Sequence, residues 1–318
     1  MRIAVIGAGG VGGYFGGRLA HAGEDGVFIQ RGAHLEALQR SGLSVSSPLG
    51  DFTVPKVRAQ AGAAGIGPVD VVLVTVKSNH TGQAAALARD LLGPDTAVIS
   101  LQNGIENEDR LAAVLGRAQV AGGVAYILSL IEAPGRIRHS GQTARMLFGE
   151  LDGRPSARLE AFRDACAQAG IDAELSADIT AALWAKFAVI CPHSGMTALT
   201  RMPIGPVRSD PDCRALLEGC AREVIQLAAA RGVILPPALI ENPCAFFDRV
   251  PAEMTSSLHH DVTHGKPLEL DWLNGAVVRL AREAGLAAPV NHFIYAALKL
   301  HAGGHANGAA AEAAAPSR

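Results

Sequence analysis

The chain of 318 residues has few aromatic side chains, few charges and almost no net charge. Phe, Trp and Tyr together make up 4% of it, charged residues 18%, and the formal net charge is −2 at pH 7. A near-neutral chain has no overall attraction for nucleic acid or for an anionic membrane, so neither is expected as a partner. It also lacks an apolar run of about 18 residues, which argues against a membrane-spanning helix.

The N-terminal residues do not predict a secretion signal. Its apolar run, Ile3–Ile6, ends at Gly7 and is shorter than the roughly 7–15 residues of a signal core. The sequence therefore predicts a cytoplasmic protein.

The cysteines and histidines show no spacing typical of a disulfide framework or a metal site. The five cysteines are odd in number and contain no CxxC pair, which predicts reduced and mostly buried thiols. His259, His260 and His264 have no accompanying cysteine or carboxylate pattern, so a solvated helix end explains them better than a metal. His193 is interpreted as a surface or packing residue, and no metal site is predicted.

Hydrophobic residues make up 49% of the chain, enough for two buried cores. Up to about residue 150, β-branched runs that are apolar on both faces alternate with helical segments, as in a doubly wound α/β fold. The predicted strands are Ile3–Ile6, Val27–Gln30, Val69–Val76 and Ala97–Leu101, with Val120–Tyr126 and Met146–Phe148 as further candidates. The predicted helices are Gly10–Ala22, His34–Ser41, Thr81–Leu92 and Glu106–Leu115.

After Asp178 only helical periodicity remains. The predicted helices are Ile179–Ser194, Asp212–Arg231, Pro237–Asp248, Ser256–Thr263 and Asp271–Glu283. The sequence therefore predicts an N-terminal Rossmann-type domain over residues 1–175 and an all-helical domain over residues 176–303. The Gly- and Ala-rich residues 304–318 are predicted to be a disordered tail.

A glycine-rich loop lies between the first predicted strand and helix. Gly7, Ala8, Gly9, Gly10, Val11 and Gly12 match G-x-G-x-x-G. In this motif the first glycine permits a tight turn, the second lets a pyrophosphate approach the backbone, and the third lets the helix pack on the strand. The N–H groups at the helix start then bind the phosphates. The loop predicts a dinucleotide site.

The end of the second strand indicates which dinucleotide binds. It reads Phe28-Ile29-Gln30-Arg31 and lacks the Asp or Glu that bonds the ribose of NAD. Arg31 can pair with a 2′-phosphate, so NADP(H) is predicted, the alternative for Arg31 being a solvated surface residue. Lys77 and Asn103 follow two further strands and are candidate contacts for cofactor and substrate, although turn chemistry explains each equally well.

These features together resemble the ketopantoate reductase (2-dehydropantoate 2-reductase) family. The matching stretches are GAGGVGG, VTVKSNH, LQNG, LWAKFAVICPHSGMTALT and SSLHHDVTHGKPLELDWLNGAVVRLA. The resemblance implies NADPH, a homodimer and four site residues: Lys186 as catalytic lysine, Glu269 as its acidic partner and a cofactor contact, Ser257 on the substrate carboxylate, and Asn103 at the junction of cofactor and substrate. Leu216, Val224, Leu227 and Ile294 are candidates for the dimer interface or for core.

Ketone reduction explains why a lysine is needed. Hydride delivery leaves negative charge on the oxygen, which requires a positioned cation and then a proton. Lys186 lies in an otherwise apolar helix and can supply both. Glu269 can hold Lys186 or bond a substrate hydroxyl, and Asp271 is predicted to cap the next helix.

The lysine helix departs from the family pattern. Ile190 and Ser194 stand where the family typically has asparagines, four and eight residues after Lys186 and on the same helix face. Ser194 remains a predicted substrate contact, whereas Ile190 offers no hydrogen bond. Pro192 and Gly195 are expected to kink or break this helix near the substrate.

Three functions therefore stay open. The first is NADPH-dependent reduction of 2-dehydropantoate to pantoate, a step of pantothenate biosynthesis. The second is reduction of another 2-keto acid by the same chemistry. The third is a non-catalytic dinucleotide-binding protein, which the retention of Lys186 and Glu269 disfavours because binding alone needs neither residue.

Overall fold

The structure is a computed structural model that describes residues 1–304. The chain divides into two compact units, Met1–Leu183 and a second unit that begins at Trp184. Apart from Gly304, the predicted disordered tail lies outside the described residues. No helix of residues 1–304 is long and apolar enough to span a membrane.

The first unit is built on one sheet. Its strands are β1 (Arg2–Ile6), β2 (Asp25–Ile29), β3 (Leu43–Ser46), β4 (Phe52–Val54), β5 (Arg58–Gln60), β6 (Val71–Val74), β7 (Ala97–Ser100), β8 (Val120–Ala133), β9 (Arg136–Glu150) and β10 (Asp172–Leu175). Its helices are α1 (Gly10–His21), α2 (Gly32–Ser41), α3 (Thr81–Arg89), α4 (Asn107–Leu115) and α5 (Ala157–Gln168).

The parallel part of the sheet has the strand order β5-β2-β1-β6-β7-β8. This is the doubly wound order, whose direction reverses between β1 and β6. The predicted fold class is therefore confirmed, and the first four predicted strands differ from β1, β2, β6 and β7 by at most two residues at either end.

Both faces of the central parallel strands are buried, as their continuous apolar runs predicted. Ile3 and Val5 pack with Phe15 and Phe28 on one face. Ala4 and Ile6 pack with Val74 on the other face. Successive side chains of a strand point to opposite faces, so a strand that is apolar throughout requires a cover on each side.

A long antiparallel hairpin is the main feature that sequence patterns underestimated. β8 and β9 pair from Ala121–Glu150 to Ala133–Arg136, with irregular register near Ile127 and Ile131. The predicted strands Val120–Tyr126 and Met146–Phe148 cover only its base. The distal half is largely exposed, with Leu128, Leu130 and Ile131 at 51%, 43% and 41% exposure, and its β9 side is rich in polar residues. It therefore lacks the pattern of a strand buried on both faces. β3 and β10 extend the sheet by pairing with β9.

The second unit is helical throughout the part that is described. α6 (Ile179–Thr200) enters it and is followed by α7 (Ile204–Ser209), α8 (Pro211–Ala230), α9 (Pro237–Glu241), α10 (Ala245–Arg249), α11 (Ser257–Thr263), α12 (Asn274–Glu283) and α13 (Pro289–Leu298). Pro211, Pro237 and Pro289 each occupy the first helical position, where a missing N–H costs nothing. Val224, Leu227 and Ile294 are fully buried in this unit, which makes them core rather than exposed interface in the single chain.

Buried side chains, rather than backbone ladders, connect these helices. Asn291 of α13 accepts hydrogen bonds at Oδ1 from the Cys191 thiol, the Cys220 thiol and Asn274 Nδ2, at 3.4, 3.2 and 2.9 Å. Glu223 of α8 accepts from the backbone N–H groups of Val290 and Asn291 at 2.8 and 2.9 Å. The carboxylate thereby satisfies the first turn of α13 and opposes the positive end of its dipole.

Three local expectations for this unit are wrong. The predicted helix Pro237–Asp248 is two helices, α9 and α10, which residues 242–244 separate. α6 is not broken near Pro192 but continues to Thr200, and the turn around Pro192 is buried and anchored to Asn291 by the Cys191 thiol. Asp271 does not cap α12, whose N-cap position is Leu273. Asp271 lies in a preceding 3-10 turn and accepts from the Tyr295 hydroxyl at 2.9 Å.

The cysteines behave as predicted. All five are free thiols, and four of them are buried. Burial raises the pKa of Cys166 to about 12, which keeps this thiol protonated and unreactive at neutral pH.

Candidate active site

The candidate site of the first unit lies where the strand order reverses. β1 and β6 are parallel neighbours, so the loops after Ile6 and Val74 emerge side by side at the carboxyl edge of the sheet. Ligands of doubly wound sheets bind at this crevice.

The backbone of the glycine loop is held on both sides. Gly7 has φ +101° and donates its N–H to the Ile29 carbonyl at 2.9 Å, while its own carbonyl accepts from the Thr75 hydroxyl at 2.6 Å. A Cβ on Gly12 would lie 2.2 Å from the Gly7 carbonyl oxygen and 2.3 Å from the Thr75 hydroxyl. A side chain at either glycine would therefore distort the turn or separate α1 from the sheet.

The N-terminus of α1 follows directly. Gly9 is its N-cap, and Gly10, Val11 and Gly12 form its first turn. An α-helix leaves the N–H groups of its first turn without intrahelical partners and carries positive potential there. This arrangement fits a pyrophosphate.

The end of β2, which was predicted to contact the ribose, carries the Gln30 side chain, and this side chain turns back toward the glycine loop. Gln30 Oε1 accepts from the Ala8 N–H at 3.0 Å. The next residue, Arg31, is exposed, and its guanidinium reaches Gln83 Oε1 at 3.4 Å. An exposed guanidinium at the end of the second strand fits a 2′-phosphate in charge and geometry.

Two further strand ends meet beside the loop. The Ser78 hydroxyl, next to Lys77, donates to the Asn103 carbonyl at 2.8 Å, and Asn107 Nδ2 donates to the same oxygen at 2.9 Å. Gln102 Nε2 donates to the Val76 carbonyl at 2.9 Å. The structure thus brings the Lys77 and Asn103 segments together, with Lys77 exposed and Asn103 half-buried.

The β8–β9 hairpin borders the glycine loop. The Ser129 carbonyl lies against Gly10, where an added Cβ would approach it to 2.2 Å. The hairpin turn reaches α2, because the Gly135 N–H donates to His34 Nδ1 at 3.0 Å. Burial lowers the pKa of His34, while the Ala8 backbone raises it to a lesser extent.

In the helical unit, the predicted catalytic lysine lies on α6. Lys186 and Ile190 are half-buried and Ser194 is buried, one helical turn apart on one face. Ile190 therefore places an apolar surface beside Lys186. Glu269 is half-buried and directly precedes the 3-10 turn Leu270–Trp272.

The predicted carboxylate contact lies at the start of α11. Ser257 is the exposed first residue of this helix, and its neighbour Ser256 is the N-cap, accepting from the His259 N–H at 3.0 Å. Thr197 of α6 donates to the His193 carbonyl at 2.7 Å, so its oxygen accepts from the Ser256 hydroxyl at 2.8 Å. This directed chain fixes the start of α11 on the helix that carries Lys186.

His193 packs beside this chain. Its ring is 8% exposed, lies 6.1 Å from the Phe247 ring, and has a buried Nε2 without a hydrogen-bond partner in residues 1–304. Burial lowers the pKa of His193 to about 4, against a smaller opposing effect of the Met254 backbone. His193 is therefore neutral at physiological pH and packs in the core.

Some of the residues around both candidate sites were not singled out by sequence reasoning. His34 was noted only as a helix start and Gln30 only as a missing carboxylate. Thr197 and Ser256 sit inside family-like stretches without a motif of their own. The hydrogen-bond partners of these residues lie far away in the sequence, so sequence patterns do not show the pairs. For Thr197, the one available indication was a polar residue in an otherwise apolar helix.

Comparison with protein families identifies the chain along both units. Residues 3–153 match the model described as Ketopantoate reductase PanE/ApbA. Residues 178–302 match the model of the C-terminal region of the same family.

Individual proteins agree with this match. An uncharacterized oxidoreductase, YkpB of Bacillus subtilis, is 31% identical over 95% of this chain and 99% of its own length. The crystal structure of a 2-dehydropantoate 2-reductase from Geobacter metallireducens has a TM-score of 0.87 and 32% identity over 94% of this chain and 99% of that one. A D-mandelate dehydrogenase with NADH and anilino(oxo)acetate shares the fold, with a TM-score of 0.87 at 21% identity over 95% of this chain and 98% of that one.

Proposed function

Because the chain belongs to the ketopantoate reductase family and is an oxidoreductase, we propose that it reduces a 2-keto acid to a 2-hydroxy acid with NADPH. The leading substrate is 2-dehydropantoate, which would place the enzyme in pantothenate biosynthesis. The observation that carries the proposal is the family match over both units. The match covers the glycine loop, which would bind the cofactor, and Lys186, which would act on the substrate.

The residues of the first unit bind the cofactor in this proposal. The first-turn N–H groups of α1 hold the pyrophosphate, and Arg31 pairs with the 2′-phosphate. Lys77 and Asn103 contact the ribose and nicotinamide side, and Glu269 adds a contact from the helical unit. When bound, the nicotinamide supplies a hydride to the ketone carbon.

In this proposal the residues of the helical unit bind the substrate, stabilise the charge that develops on its ketone oxygen and supply the proton. Ser257 binds the substrate carboxylate, and the Lys186 ammonium binds the ketone oxygen. As the C=O bond becomes a C–O bond, Lys186 stabilises the negative charge and then transfers a proton from Nζ to that oxygen. Glu269 orients the ammonium group. Ser194 is a further substrate contact on the Lys186 face.

A second candidate function keeps this chemistry and changes the substrate. Ile190 presents an apolar surface one turn from Lys186, where a polar substrate substituent would lose its hydrogen bonds. A site designed for hydrogen bonding discriminates strongly, whereas an apolar surface does not. A 2-keto acid with an apolar substituent next to the keto group is therefore the alternative.

One assay separates these functions. Oxidation of NADPH, followed at 340 nm, is measured with 2-dehydropantoate and with a panel of branched, linear and aromatic 2-keto acids. Turnover that is fastest with 2-dehydropantoate supports the leading proposal, and faster turnover of an apolar 2-keto acid supports the alternative. NADPH binding without turnover of any compound would indicate the non-catalytic dinucleotide-binding protein.

A further inference from the structure

The conformation of the glycine loop depends on side chains outside its motif. The loop residue Ala8 is 0% exposed, and its N–H bonds Gln30 Oε1 at 3.0 Å. Gln30 Nε2 in turn donates to the Arg31 carbonyl at 3.4 Å. The Gln30 side chain is thereby held between the loop and the start of α2.

His34 joins α2 to the hairpin turn, beside the same loop. Its Nδ1 accepts from the Gly135 N–H, so the ring carries its proton on Nε2. Nε2 is buried without a hydrogen-bond partner in residues 1–304, and the Ala8 backbone is close enough to influence the pKa of the ring. Burial and the bond from Gly135 both favour the neutral ring, and that bond fixes its orientation.

The hairpin turn is itself held in place. The Gly135 carbonyl accepts from the Ser44 N–H at 2.9 Å, and β8 contacts the first turn of α1 through Ser129. His34 therefore lies at a junction of α2, the hairpin turn and the loop. A displacement of any one of these elements would change the contacts of the other two.

We propose that Gln30 and His34 are positioning residues of the cofactor site, which hold Ala8 and the β8–β9 turn so that the first-turn N–H groups of α1 converge on the pyrophosphate. The inference rests on the proposed dinucleotide site. Both cofactors share the pyrophosphate, so these two residues contribute equally to NADPH and NADH, unlike Arg31. Preorganisation of this kind acts by lowering the ordering cost of binding.

The test compares near-isosteric variants by direct titration of NADPH and NADH fluorescence. Q30M removes the acceptor for Ala8, and H34F removes the acceptor for Gly135. Each variant should weaken both cofactors by the same factor, about tenfold, the range for a buried donor left without its acceptor. The kcat at saturating cofactor and the KM for the keto acid should stay within about twofold.

A conservative variant and a matched control make the test specific. H34N retains an acceptor near the position of Nδ1 and should return the Kd to within about threefold of the unchanged protein. Q39M removes another glutamine side-chain bond, to the Ala59 carbonyl at 2.8 Å, on the far end of α2, and should leave both Kd values unchanged.

The outcomes are separable. If the unchanged protein binds neither NADPH nor NADH, the proposed function fails. If it binds them and folded Q30M and H34F bind equally well, only the positioning role fails. If H34F does not fold, Q30M still tests the inference, because Gln30 is only half-buried. Unequal effects of a variant on NADPH and NADH binding would also overturn the inference.

Discussion

In the α/β unit, the candidate pyrophosphate-binding groups are backbone N–H groups at the start of α1, and short side chains hold the neighbouring loops in place. Thr75, for example, bonds Gly7, and Ser78 bonds Asn103. In the helical unit the predicted reactive group is a side chain, Lys186, and buried side-chain bonds such as those of Asn291 fix the helices around it. The first arrangement suits a cofactor of constant shape. In the second arrangement, substitution of a few helix residues can change which substrate is accepted.

The strongest test of this comparison removes the lysine. K186A should lower kcat by at least about 100-fold, as expected for loss of a general acid that also stabilises charge. NADPH affinity, which in the proposal depends mainly on residues of the first unit, should change little. Turnover assays measure the change in kcat, and titration measures NADPH affinity. K299A, at an exposed lysine, is the control and should change neither. A near-normal rate would contradict the assigned role of Lys186.

The second test addresses the cofactor unit. R31A should weaken NADPH by roughly 10- to 100-fold, because a charged hydrogen-bond pair with the 2′-phosphate is lost. NADH, without this phosphate, should be affected less than about threefold. R40A, which removes an exposed arginine from the last turn of α2, provides the matched control. Equal weakening of both cofactors would exclude Arg31 as the reader of the 2′-phosphate.

Acid should weaken the helical unit through His193. The unfolded chain binds a proton at His193 below about pH 6.5, and the folded chain only below about pH 4. His193 therefore costs no free energy of unfolding above about pH 6.5. As the pH falls from about 6.5 to about 4, the free energy of unfolding decreases by at most about 3 kcal/mol.

Urea unfolding between pH 7 and 4.5 measures this loss. H193Q should flatten the pH dependence, whereas H264Q, at an exposed histidine, should leave it unchanged. A pH dependence that is the same in H193Q as in the unchanged protein would exclude His193 as its source.

The smallest effect concerns the link between α6 and α11. T197V removes the hydroxyl that accepts from Ser256 and should cost about 1–2 kcal/mol of stability. The KM for the keto acid should rise several-fold with kcat nearly unchanged, because Ser257 is less well placed relative to Lys186. T200V is the control, since the Thr200 hydroxyl bonds only nearby backbone groups, the Met196 carbonyl at 2.8 Å and the Met202 N–H at 3.3 Å, and none of α11. Equal KM values in the two variants would argue against the link.

Local patterns predicted those parts of the fold that are set by neighbours in the chain. The apolar runs at Ile3–Ile6 and Val69–Val76 predicted strands covered on both faces, and the glycines between positions 7 and 12 predicted the loop. The distal hairpin was not predicted because its β9 side is rich in polar residues and is held by pairing with β8 rather than by burial on both faces. The break expected at Pro192 did not occur, because burial of the surrounding turn outweighs the lost backbone hydrogen bond.

The amino-acid sequence by itself determined the doubly wound fold, the helical second unit, the family and the candidate residues Lys186, Glu269 and Arg31. Periodicity, turn chemistry and short motifs are local properties, so they can be read without coordinates. Only the tertiary structure decided that Gln30 turns back to Ala8, that His34 meets Gly135, and that Thr197 bonds Ser256. These pairs depend on how distant elements pack, and a buried polar group finds its partner only once that packing exists.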